Sequence, residues 1–174
     1  MLIDKKGKWL FISTMKCATN TIYKCVEGRR IGGFHARPKQ RRAPLHWTIK
    51  RNPYDRALSI WRSTCLRKGD RYLVKDNIIR CGGNPENFTH FCLHILGKRN
   101  DWLFRNQSDW WAGTIIDKYI DINNLKKIEI ITGQKLNLTK ENTSPEKFVA
   151  LNSTCIDIIN KWAEPDFKYG YTKL

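Results

Sequence analysis

Acidic residues are scarce in this chain. Sixteen Asp and Glu stand against 32 Lys and Arg in 174 residues, a formal net charge of +16. A field of that size attracts polyanions: nucleic acid, acidic glycans, a membrane surface or a multiply phosphorylated cofactor. Long hydrophobic runs are missing too. The apolar run Trp9–Ile12 is too short for a signal-peptide core or a membrane span. The expectation is therefore a cytoplasmic protein with no membrane span, and a secretory-lumen one only if a leader has been removed. The six cysteines, at 17, 25, 65, 81, 92 and 155, form no Cys-x-x-Cys pair, which argues against zinc and for reduced thiols. His90 and His94 are four apart without a third ligand in reach, so no metal is expected. Repeats and low-complexity tracts are absent. With 41% hydrophobic residues and seven tryptophans, the chain reads as a single folded domain over 1–174, large enough to bury a core. No Gly-x-x-x-x-Gly-Lys-Ser/Thr loop and no clear magnesium carboxylate occur, which counts against a nucleotide-triphosphate phosphotransferase. Asn-x-Ser/Thr sequons at Asn87, Asn106, Asn137, Asn142 and Asn152 point toward a secretory pathway. In an Asn-, Ser- and Thr-rich chain they read as coincidence.

Two stretches organise what is present. Residues 8–22 run from an apolar strand, Trp9–Ile12, through small and hydroxylated residues around Lys16 into a helical pattern from Thr19, with Ile22, Tyr23 and Val26 at helical spacing. A strand, a small-residue turn and a helix start make an anion cradle: free N–H groups, a favourable dipole, Lys16, and side-chain donors on Thr19, Asn20 and Thr21. The same residues also make an ordinary polar loop with a surface lysine. Residues 45–61 repeat the plan. A strand at Trp47–Ile49 leads to Arg51. Asn52 then caps a helix that has Pro53 in its first position and runs to about Leu66. Two strand-to-helix switches carrying cations suggest two anion sites on one sheet edge, where ligands of open α/β sheets bind.

Lys16-Cys17-Ala18-Thr19-Asn20-Thr21 followed by Arg51-Asn52-Pro53-Tyr54-Asp55-Arg56-Ala57-Leu58-Ser59 resembles the sulfotransferases that use 3′-phosphoadenosine 5′-phosphosulfate (PAPS). The second motif matches the family's Arg-Asn/Asp/Glu-Pro-x-x-Arg-x-x-Ser pattern throughout. The first departs from it at Met15, usually proline, and at Ala18, often glycine. The tail Glu164–Tyr171 and the strand leading to Asn123-Asn124-Leu125 resemble segments of carbohydrate sulfotransferases, although Asn123 stands where those have glutamate. The resemblance implies an α/β fold: a three-layer sandwich with a central, mainly parallel sheet, similar to that of P-loop nucleotide-binding proteins. It implies that Lys16, Cys17, Ala18, Thr19, Asn20 and Thr21 hold the 5′-phosphosulfate, with Lys16 also catalytic, and that Arg51 and Ser59 hold the 3′-phosphate. The acceptor would be a hydroxyl, with an acidic glycan one candidate.

A base is needed to take the acceptor's proton, and histidine suits that role. His35 lies in the segment that carries the base in similar carbohydrate enzymes and is preferred; His46 and Glu27 are the alternatives. Ile31–His35 reads as a short strand or turn. The stretch after it, with Arg37, Lys39, Arg41 and Arg42, is a basic loop or an anion-attracting rim. Residues 67–84 read as a loop or lid. Asn84-Pro85 starts a helix to Leu96. Trp110 and Trp111 read as core or as a stacking surface, and Gln107 falls near the site mouth. A third strand lies at Tyr119–Ile122. Asn123 caps a helix ending at Gly133, Pro145-Glu146 opens a short helix, and an amphipathic helix covers about Asn152 to Ala163. A nucleic-acid binder, or a non-catalytic sulfotransferase-like fold that binds polyanions, is the alternative from a different class.

Overall fold

Short apolar runs and polar caps set the order of elements. The computed structural model describes residues 1–33, 42–67, 73–99, 101–137 and 149–174. In chain order these contain β1 (Leu2–Ile3), β2 (Trp9–Ile12), α1 (Thr19–Cys25), β3 (Arg29–Arg30), β4 (Leu45–Lys50), α2 (Pro53–Trp61), α3 (Val74–Arg80) and α4 (Phe88–His94). There follow α5 (Gln107–Trp111), β5 (Lys118–Asp121), α6 (Lys127–Thr132), α7 (Ser153–Trp162) and α8 (Glu164–Phe167). They form two units: Met1–Arg51 with Gln107–Glu141, and Asn52–Asn106 with Asn142–Leu174.

The first unit is α/β. Its sheet has the order β3-β1-β2-β4-β5. Strands β2, β4 and β5 are parallel, and β1 is antiparallel to both of its neighbours. The sheet is thus mixed: the parallel part expected from sequence carries a short antiparallel margin. That margin exists because Asp4 folds β1 back on β2. Its carboxylate accepts the N–H of Lys6 at 3.2 Å and of Lys8 at 3.1 Å, and Gly7 takes the left-handed φ of 71° that the turn requires. Three apolar residues, Met1–Ile3, ahead of a polar stretch are too few to give strand periodicity, so β1 is invisible in the sequence.

Alternation along the strands assigns the faces. Trp9, Phe11, Trp47, Ile49 and Ile120 line one, in a core with Ile22 and Val26 of the α1 segment and Ile128 of α6. Phe11 and Trp47, paired in register, pack at a tilt of 36° with ring centroids 4.6 Å apart. Leu10, Ile12, His46 and Thr48 on the opposite face are buried as well, as a parallel sheet demands. Each large apolar side chain so buried contributes roughly 1.5–3 kcal/mol.

The second unit is helical among its described residues. Asn52 caps α2, its side chain accepting the Tyr54 N–H at 2.9 Å, and Pro53 takes the first turn. Helical structure reaches Leu66 as expected, but residues Arg62–Leu66 widen to a π-helical turn. The hydroxyls of Ser63 and Thr64 both donate to the Ile60 carbonyl, at 2.8 and 2.9 Å, and compete with the backbone ladder. The expected loop over 67–84 contains α3, which buries Val74 and Ile78 at helical spacing. Asn84 does not start α4. It closes a turn onto Glu86, and Asn87 is the cap, accepting Thr89 N–H at 2.8 Å. Asn152 caps α7 in the same way through Cys155 N–H at 2.9 Å. Two of the sequon asparagines are therefore helix caps. In the first unit α6 begins at Lys127, because Ile122–Asn124 first form a 3-10 turn; Gly133 ends the helix at φ 67° as anticipated. The helix expected at Pro145-Glu146 lies outside the described residues.

Arg56, the second arginine of the motif, is fully buried in this unit. Its Nη2 donates to the Arg105 carbonyl at 2.6 Å, and its guanidinium lies 5.1 Å from the Trp162 ring centroid. Among the described residues no helix is long and apolar enough to cross a membrane.

Candidate active site

The parallel strands β2 and β4 run side by side, so their carboxyl ends deliver Ser13–Ala18 and Arg51 to the same edge of the first unit. Thr14 turns back at once. Its carbonyl accepts the Cys17 N–H at 3.3 Å and the Thr19 hydroxyl at 2.7 Å. These bonds close a tight loop around Lys16, and two of its residues, Lys16 (φ 63°) and Ala18 (φ 53°), are left-handed without being glycine. The backbone of this loop is strained, and such strain gathers at ligand-binding turns. At Ala18 a glycine would adopt the same left-handed φ without the clash of a Cβ.

The loop rests on buried polar groups. Ser13, Thr14, Thr19, Thr48 and Gln107 are all at most 6% exposed. Trp111 Nε1 donates to Thr14 Oγ1 at 2.8 Å, Thr14 and Thr48 hydroxyls meet at 3.2 Å, and the Thr48 hydroxyl donates to the Ile12 carbonyl at 2.7 Å. With the Thr48 proton committed to Ile12, the Thr14 proton must point to Thr48. The hydrogen bonds thus run in one direction, from Trp111 through both threonines to the end of β2. Tyr23 adds a hydroxyl 3.4 Å from Ser13 Oγ; burial pushes its ionisation up, against smaller opposing effects of that hydrogen bond and of Arg30.

Arg51 and the Lys16 loop are joined directly: Arg51 Nη1 donates to the Lys16 carbonyl at 3.2 Å. Gln107 joins them again. Its Oε1 accepts the Arg51 N–H at 2.7 Å and the Cys17 thiol at 3.2 Å, and its Nε2 donates to the Arg51 carbonyl at 2.7 Å. The Arg51 guanidinium and the backbone of the Lys16 loop are thus brought together at one edge. The donor set, an ammonium, a guanidinium and turn N–H groups, fits an anionic phosphosulfate or phosphate. Helix α1, at seven residues, adds a short dipole only, so the weight falls on Lys16 and Arg51. The Thr19 hydroxyl is spent on the loop itself. Asn20 is exposed and Thr21 partly so.

Of the other candidates, Ser59 lies in the second unit, on the second turn of α2, half-buried. His35 lies outside the described residues. His46 is at the amino end of β4, about 16 Å along the strand from Arg51. It is buried, its Nε2 accepts the Arg42 N–H at 3.3 Å, and its Nδ1–H therefore donates to the Ile115 carbonyl at 3.1 Å. Both nitrogens are engaged in structure. Glu27 follows α1 at the end away from Lys16 and pairs with Lys5 at 3.3 Å on the surface. Neither alternative base lies at this edge. Among the described residues no cluster could hold a metal ion, and His90 instead accepts the Asn84 N–H through Nδ1 at 2.7 Å.

The sequence reading missed the Thr14–Thr48–Trp111 chain and the depth of Gln107. One signal was available: Thr48 is a hydroxyl in the middle of an apolar strand. No family model, curated protein or solved structure matches the chain.

Proposed function

We propose that this protein is a PAPS-dependent sulfotransferase that transfers a sulfuryl group to an acceptor hydroxyl, with an acidic glycan as a candidate acceptor. The observation that carries the reading is the 3.2 Å bond between Arg51 Nη1 and the Lys16 carbonyl at the carboxyl ends of adjacent parallel strands. It supports a single anion-binding edge built from the two motifs that resemble the sulfotransferase signatures. In this reading the fold is the P-loop-like sulfotransferase type.

The acceptor hydroxyl loses its proton to a base, His35 by resemblance, as its oxygen bonds to sulfur. The bond from sulfur to the phosphate oxygen breaks, and the Lys16 ammonium stabilises the charge developing on that oxygen. Preorganised charge of this kind is often the largest catalytic effect. Arg51 takes the 3′-phosphate, which separates this donor from ATP. The excess of positive charge suits an anionic donor and an anionic acceptor alike.

Calorimetric titration with 3′,5′-adenosine bisphosphate, AMP and ATP tests the reading. Selective binding of the bisphosphate is expected, followed by label transfer from PAPS in an acceptor screen. Equal binding of all three nucleotides, or none, would overturn it and favour the alternative of a polyanion or nucleic-acid binder, recognisable by steep salt dependence.

A further inference from the structure

We infer that Gln107 is the positioning residue that locks the Arg51 strand end to the Lys16 loop, and so sets the spacing of the two cationic groups. The inference rests on the sulfotransferase reading for its ligand, but its geometry stands apart from it. A carboxamide has one acceptor oxygen with two lone pairs and one nitrogen with two protons. At Gln107 both lone pairs are used, on the Arg51 N–H and the Cys17 thiol, and the nitrogen serves the Arg51 carbonyl. Arg51 is gripped at both backbone groups by Gln107, while its guanidinium reaches the Lys16 carbonyl. Cys17, next to Lys16, is gripped by the same oxygen. One side chain thus fixes the residues on which both phosphate contacts depend.

The first unit contains a built-in comparison. Gln134 makes the same two-pronged bridge to Glu27, accepting its N–H at 2.7 Å and donating to its carbonyl at 3.0 Å. That bridge lies beyond the far end of α1 from Lys16. It ties down one chain segment at the surface, whereas Gln107 is buried and ties the end of β4 to the loop that follows β2. If Gln107 did no more than Gln134 does, its loss would cost stability without moving bisphosphate affinity.

The test compares wild type with Gln107→Ala, Gln107→Glu and Gln134→Ala. Titration with 3′,5′-adenosine bisphosphate is run beside thermal unfolding and the rate at which a maleimide labels Cys17, mapped by peptide mass. Gln107→Ala is expected to weaken bisphosphate binding about tenfold or more, the scale on which residues supporting a site act. It should also speed Cys17 labelling about tenfold, because a buried thiol is freed. Gln134→Ala should lose stability only. Gln107→Glu mimics the carboxamide when protonated, so its affinity relative to wild type should recover as pH falls from about 8 toward about 5. Wild-type affinity and labelling in Gln107→Ala, or equal losses in Gln134→Ala, would overturn the inference. If wild type itself binds no bisphosphate, the sulfotransferase reading falls, and the labelling comparison alone decides the lock: unchanged Cys17 reactivity in Gln107→Ala sinks it.

Discussion

Arg51 Nη1 lies 3.2 Å from the carbonyl oxygen of Lys16, so the two cations proposed to bind one donor are tied through the backbone of one of them. Their variants should nevertheless fail differently. Arg51→Ala removes a charged hydrogen-bond donor worth about 1.5–3 kcal/mol, which is about 10–100-fold in bisphosphate affinity. Lys16→Ala removes charge aimed at the departing oxygen and should cut turnover by about 10² or more in a folded protein. Affinities and single-turnover rates measured on both variants check this. Unchanged affinity in Arg51→Ala would remove the 3′-phosphate assignment, and near-normal turnover in Lys16→Ala would remove its catalytic one.

Ala18 carries the second left-handed backbone of the loop, at φ 53°. A left-handed residue with a Cβ costs roughly 1–2 kcal/mol, and glycine escapes that cost at the expense of a more flexible unfolded chain. Ala18→Gly should therefore be neutral or raise stability by up to about 1 kcal/mol. Urea denaturation reads this directly. A clear loss of stability would mean that the Ala18 methyl packs well enough to outweigh its strain.

How far the sequence could be read depended on what each signal was made of. Strand β2 and the Asn52-Pro53 helix start were legible because an apolar run and a cap followed by proline act locally. Helix α3 was not: Val74 and Ile78 sit among Lys75, Asp76 and Asn77, too polar a stretch to suggest burial before its neighbours are known. Asn84 and Asn87 offer equally good caps, and only the fold chooses between them. The motifs around Lys16 and Arg51 identified the strand-end residues, yet nothing local in Gln107 says that 56 positions away it will pair with Arg51. The expected bases fared differently: His46 proved to be a strand-margin residue with both nitrogens engaged.

Arg56 belongs to the same motif as Arg51 but is bonded into the second unit, to the Arg105 carbonyl and over Trp162. Its motif position reflects folding of α2 against α7 and the segment before Gln107. Arg56→Ala should cost about 3 kcal/mol or more, from the lost charged hydrogen bond and the cavity. Lysine should rescue little, since its point charge cannot replace a planar group on an indole. Denaturation curves of both variants measure the cost. A loss below about 1 kcal/mol for Arg56→Ala would contradict a structural role.

Cys92 provides a pH test of the second unit. It is buried on α4, and its thiol is pushed well above the ordinary 9.0, first by burial and then by the neighbouring Cys155 on α7. The folded protein therefore keeps this thiol protonated where the unfolded chain ionises it. The sign follows from that difference. Stability from Cys92 is fully present below about pH 9 and is lost as pH rises past it, because the unfolded state alone releases the proton. At about pH 10 the loss from this one group is about 1.4 kcal/mol. Cys92→Ala lowers stability at every pH by creating a cavity, but it should flatten the alkaline slope relative to wild type, the other cysteines cancelling in the comparison. Guanidinium denaturation of both proteins between about pH 8 and about pH 10 measures the two slopes. Parallel curves would mean that Cys92 titrates alike in the folded and unfolded chains, and the α4–α7 contact would then be wetter than the structure has it.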